Sequence, residues 1–125
     1  MFCVLHTVGR AGRRGRLAAD ELEGGYAQLV ARANARGLKV YGATILPYGG
    51  ANYYSETGDK TRQEVNAWMR SKASVFDGLV DFDAVLRDPA NPNKMKPDLQ
   101  SGDWLHPNDA GYKVMGEAVD LKLFR

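Results

Sequence analysis

The sequence holds a single cysteine, Cys3, which excludes an intrachain disulfide and a cysteine-built zinc cluster. No apolar run approaches the roughly 20 residues that a membrane-spanning helix needs. Charge of one sign is also scarce. Lys and Arg number 17 against 15 Asp and Glu, a net charge of +2 that demands neither a nucleic acid nor an anionic membrane as partner. The opening Met1–His6 is short, uncharged and without the layout of a secretion signal, which leaves the compartment unassigned. There are no internal repeats and no low-complexity linker, so the 125 residues read as one domain, 1–125. With 44% hydrophobic residues the chain has the material for a packed core, which excludes global disorder.

Periodicity predicts an alternation of strands and helices. Met1–Leu5 (MFCVL) reads as a buried strand, with Cys3 packing as a small hydrophobe. A Gly- and Arg-rich loop follows. Asp20 to Arg36 reads as a helix, with Asp20 and Glu23 as a capping pair, Leu22, Tyr26, Leu29, Val30 and Ala33 on one face, and Gly37 as the stop. Leu38–Leu46 (LKVYGATIL) is the strongest strand, ending before Pro47. A second helix is expected from Asp59 to about Val75, and a third strand at Leu79–Phe82. Ala84–Leu105 reads as a long loop, and a closing helix runs from Pro107 to about Leu123 with Val114, Met115, Ala118 and Val119 inward. Such alternation implies an α/β fold with a parallel sheet covered on both faces. Three strands make a small sheet. An apolar edge at Met1–Leu5, or the helix face beside it, is expected to drive self-association into a homo-oligomer.

The densest chemical signal is Ser101-Gly102-Asp103-Trp104-Leu105-His106-Pro107-Asn108. Asp103 and His106 lie three apart, just ahead of the closing helix. A helix N-terminus favours the uncharged imidazole, and Asp103 is near enough to hold one ring nitrogen while the other takes a proton. Among the serines, Ser55 and Ser101 fall in loops, whereas Ser71 and Ser74 fall in the second predicted helix. The Arg10, Arg13, Arg14, Arg16 cluster lacks interleaved aromatics and reads as a solvated loop rather than a nucleic-acid site. Tyr48, Tyr53 and Tyr54 either line a pocket or cover the core. Asp81 and Asp83 alternate at a strand end and are expected to face apart.

The block Asp103–Val119 (DWLHPNDAGYKVMGEAV) resembles the last block of the SGNH, or GDSL-type, hydrolases. The resemblance extends upstream through Leu38–Pro47, Val65–Arg70 and Val80–Pro89. It implies a flavodoxin-like three-layer α/β/α fold and esterase or lipase activity on a small ester. Asp103 and His106 then stand at the family's triad Asp and His, with no cofactor and no metal. The family's nucleophile motif G-D-S does not occur in this sequence, the block carrying its oxyanion Gly is not found, and His6 stands where its oxyanion Asn belongs. The chain therefore resembles the C-terminal portion of such a hydrolase, a truncated domain with about three parallel strands. Backbone N–H groups of Gly9–Gly12, with His6, are candidate oxyanion donors, and Ser101 and Ser55 are candidate replacement nucleophiles. Two functions follow as expectations. One is carboxylic-ester hydrolysis by an Asp–His pair with an unidentified serine. The other is a non-catalytic, self-associating remnant of a hydrolase domain.

Overall fold

A computed structural model of the protein describes residues 18–124. Helix α1 (Ala19–Asn34) leads into strand β1 (Tyr41–Ala43), helix α2 (Glu56–Arg70), strand β2 (Gly78–Val80), the short helix α3 (Phe82–Leu86) and helix α4 (Asp109–Glu117). Single 3₁₀ turns lie at Pro97–Leu99 and Leu121–Phe124. β1 and β2 pair in parallel, Tyr41 with Gly78 and Ala43 with Val80. The predicted first strand, Met1–Leu5, together with Cys3, His6 and the arginine cluster, lies outside the described residues.

Successive residues of β1 face opposite layers, and the contacts identify those layers. Gly42 faces the ring of Phe76, which packs with Tyr26 of α1 and Trp68 of α2. Ala43 faces the other way, into a core of Leu46, Val80, Phe82, Leu86, Met95 and Leu99 against which Val114, Met115, Ala118 and Val119 pack. The sheet therefore lies between α1 and α2 on one side and α4 on the other, an α/β/α sandwich.

Several expected boundaries move, each for a local reason. α1 starts one residue before Asp20, and the Glu21 carboxylate accepts the Ala18 N–H at 2.8 Å, so Glu21 rather than Glu23 serves the first turn. The chain turns at Gly37, and Leu38 N–H reaches back to Ala33 O at 3.1 Å. The strand expected over Leu38–Leu46 forms a ladder only at its centre because side chains take over its ends. Val40 N–H donates to Asp77, and Ile45 N–H and C=O both bond the Asn66 amide at 2.8 Å. α2 begins at Glu56, not Asp59, because the Ser55 hydroxyl accepts the Gly58 N–H at 3.1 Å. It ends at Arg70, which leaves Ser71 as its C-terminal cap and Ser74 beyond it, not within the helix.

The segment expected as a long loop over Ala84–Leu105 is a loop pinned by short ordered pieces. α3 opens it, Arg87 bridges to Met95, a 3₁₀ turn covers Pro97–Leu99, and Gln100 bridges to Pro107. Asp81 and Asp83 do not face apart, because the strand ends at Val80 and Asp81 caps α3. Both carboxylates converge on Arg70, at 2.6 and 2.7 Å from Nη2. Asp83, with 1% of its surface exposed, also accepts from Arg62 at 2.7 Å and Arg87 at 2.8 Å. Arg62 in turn bonds Asp59 at 2.7 Å, so three carboxylates balance three guanidinium groups where α2 meets α3.

Candidate active site

The loop from Gln100 to Pro107 is tied at its base and folded around one carboxylate. Ser101 N–H donates to His106 O at 2.9 Å. Asn108 fixes the junction with α4. Its side-chain oxygen caps the helix by accepting Gly111 N–H at 2.9 Å, while its Nδ2 donates to Asp98 O at 2.9 Å and Gln100 O at 3.2 Å. Gly111 is required there by proximity, since a Cβ would stand 2.3 Å from Leu99 O. The helix thus starts at Asp109, two residues later than expected, and His106 lies ahead of its cap. The macrodipole acts within the first turn, so the loop rather than the helix end sets the imidazole's surroundings.

Asp103 organises that loop. Its Oδ1 accepts the N–H groups of Leu105 and His106, both at 2.9 Å, and the Ser101 hydroxyl at 3.1 Å. Its Oδ2 meets His106 Nδ1 at 2.6 Å. The backbone N–H of His106, then its ring, then the Leu105 N–H hold the Asp103 carboxyl well below the usual carboxylate range. Beside an ionised Asp103, the neutral form of the ring carries its proton on Nδ1, and Nε2 is then the nitrogen able to accept one. The two side chains are 48% and 56% exposed, so the pair is open to a reactant.

His106 and Pro107 also wall an apolar groove of about 340 Å³. Its floor is β1 and the residues up to Leu46, with Tyr26 and Met69 on one bank and Tyr112 and Met115 on the other. A volume near the low end for small-molecule pockets suits a small ligand.

The structure brings Asp103, His106 and Ser101 together but sets neither candidate serine on the imidazole. The Ser101 hydroxyl bonds the carboxylate rather than the ring. Ser55 caps α2 and makes no hydrogen bond to His106. Of the tyrosines, Tyr48 and Tyr54 pack edge to face at 5.4 Å and the Tyr54 hydroxyl accepts from Asn93 at 3.1 Å, bracing the loop after β1. Tyr53 is exposed. His6 and Gly9–Gly12 lie outside the described residues. The sequence reading overlooked Asn108 and Asn66, whose side chains lock the site loop and the end of β1. The signal for Asn66 was a lone amide beside Val65 on the apolar face of α2.

The fold matches a GDSL-like lipase of Bacteroides thetaiotaomicron with a TM-score of 0.67 at 17% identity, over 88% of this chain and 54% of that one. It matches an acylhydrolase candidate of Bacteroides fragilis with a TM-score of 0.67 at 20% identity, over 88% and 53%. A lipolytic-protein candidate of the G-D-S-L family from Desulfitobacterium hafniense gives 0.61 at 24% identity, over 82% and 54%. The chain thus spans just over half the length of each. No curated protein is close enough in sequence to count as a relative. The sequence profile of the GDSL-like lipase/acylhydrolase family matches residues 7–114, most of the chain, and the protein belongs to that family.

Proposed function

We propose that the protein takes part in hydrolysis of small carboxylic esters, with His106 as general base and Asp103 as the group that orients it. The observation that carries this reading is the 2.6 Å contact between Asp103 Oδ2 and His106 Nδ1 in a ring that also walls an apolar groove. Nε2 takes a proton from the attacking oxygen as that oxygen bonds the ester carbonyl carbon, then returns it to the leaving alkoxide. Neither Ser101 nor Ser55 bonds the imidazole, and water is the attacking group proposed here. Such attack suits short, activated esters. A fluorophosphonate probe followed by digestion and mass spectrometry is expected to leave Ser101 and Ser55 unlabelled while hydrolysis persists. Label on Ser101 would instead make it the nucleophile, after it exchanges Asp103 for the ring.

A second reading, a non-catalytic self-associating module, is favoured by the same unattached serines and by a flank of the sheet that is unpaired among the described residues. Among the described residues β1 pairs with β2 alone, and its other edge lies along the apolar groove. Self-association is expected under either reading. Sedimentation velocity at micromolar concentration should give a dimer or larger species, and a strictly monomeric profile would remove that expectation.

A further inference from the structure

Trp104 stands between the two residues of the pair and is the single non-glycine residue with positive φ among the described residues, at 58°. That region is sparsely populated for a bulky side chain, so something outside the residue must hold it there. Two segments distant in sequence meet at its ring. Gly50, itself at φ 102°, lies so close that a Cβ would stand 2.9 Å from the indole Cγ. Lys94 stands over the ring with Nζ 5.0 Å from its centroid. The Gly50 turn and the Lys94 segment are tied to each other by Gly49 N–H donating to Asn93 O at 2.6 Å. On the loop side, Gln100 Oε1 accepts Gly102 N–H at 2.6 Å and Trp104 N–H at 3.3 Å.

We infer that Trp104 is a positioning residue: its ring, seated on Gly50 beneath Lys94, holds the left-handed turn that folds Asp103 back onto His106. A chain that relaxed to the ordinary helical or extended region at residue 104 would redirect the Asp103–Trp104 segment relative to His106. The carboxylate would then lose its simultaneous hold on the Leu105 and His106 N–H groups and on the ring. The inference rests on the reading of Asp103 and His106 as a working pair, and deepens it.

The test reads the imidazole tautomer directly, by long-range proton–nitrogen correlation NMR on the labelled full chain, alongside ester hydrolysis. In the wild type the neutral ring is expected to be mainly Nδ1–H. Trp104→Ala is expected to return it to the Nε2–H form that free histidine favours in water, with kcat roughly 10-fold to 100-fold lower and KM little changed. Gly50→Ala, which keeps the indole but denies it its seat, should do the same. Trp104→Phe, which keeps an aromatic ring, should retain Nδ1–H. Should Trp104→Ala fail to fold, Gly50→Ala and Trp104→Phe still decide the matter. Nδ1–H preserved in Gly50→Ala or Trp104→Ala overturns the role of Trp104 while leaving the pair intact. A wild type already in the Nε2–H form overturns both.

Discussion

Replacement of His106 by alanine is expected to lower hydrolysis of short p-nitrophenyl esters by about 10²–10⁴-fold, the usual worth of a positioned general base. The side chain is half exposed and, among the described residues, bonds Asp103 alone, so its loss leaves no buried group unpaired and the fold should persist. Asp103→Asn should reduce the rate by less, because the ring stays but the charge that fixes its tautomer goes. The pH dependence follows from the same bonds. The folded protein holds the Asp103 carboxyl below its ordinary range through the N–H groups of His106 and Leu105 and the His106 ring. Its contribution to loop stability is therefore complete above the ordinary carboxylate range and is lost only as pH falls below that range. Equal rates for wild type and His106→Ala would withdraw the catalytic proposal.

Asp83→Asn is expected to cost stability rather than activity, by about 3–5 kcal/mol. Asp83 is buried and accepts from three arginines, so removing its charge leaves the buried Arg62 and the ends of Arg70 and Arg87 without their shared counter-ion. Domains of ordinary stability have only about 5–15 kcal/mol in hand, so the urea midpoint should fall steeply. Asp81 supplies the contrast. It meets Arg70 in a two-pronged contact at 2.6 and 2.7 Å, but its side chain is one-third exposed. Water and salt screen such a pair, and Asp81→Asn should cost about 1 kcal/mol or less from the ion pair, plus the weakening of its cap on α3. Similar losses in the two variants would show that the cluster is not organised around Asp83.

Much of the architecture was legible because it is written in local chemistry. The apolar stripe Val114, Met115, Ala118 and Val119 does pack on the core, and the order of strands and helices does yield a parallel pair between helical layers. The Asp103-x-x-His106 spacing drew attention to the loop where the two side chains meet. What was not legible depends on partners far apart in sequence. Asp83 reads as one of two carboxylates facing apart at a strand end until Arg62, 21 positions earlier, is folded onto it. Ser55 reads as a free loop hydroxyl until the backbone after it turns helical and Gly58 N–H claims it. α3 has five residues, too few for a period to show, so its segment passed for irregular chain. The role of Gly50 emerges only when the Trp104 ring is seen against it.

One side chain has a bearing on how far the sheet can grow. Thr44 N–H points to Val80, so by alternation the backbone groups of Tyr41, Ala43 and Ile45 point to the opposite flank. At Ile45 both groups are already occupied by Asn66, whose amide imitates a rung of a neighbouring strand. A polypeptide zipping onto that flank would find a cradle at Tyr41 and Ala43 and a dead end one step further. Asn66 thus works as a register stop, limiting any added strand to a short match and denying aggregates a continuous template.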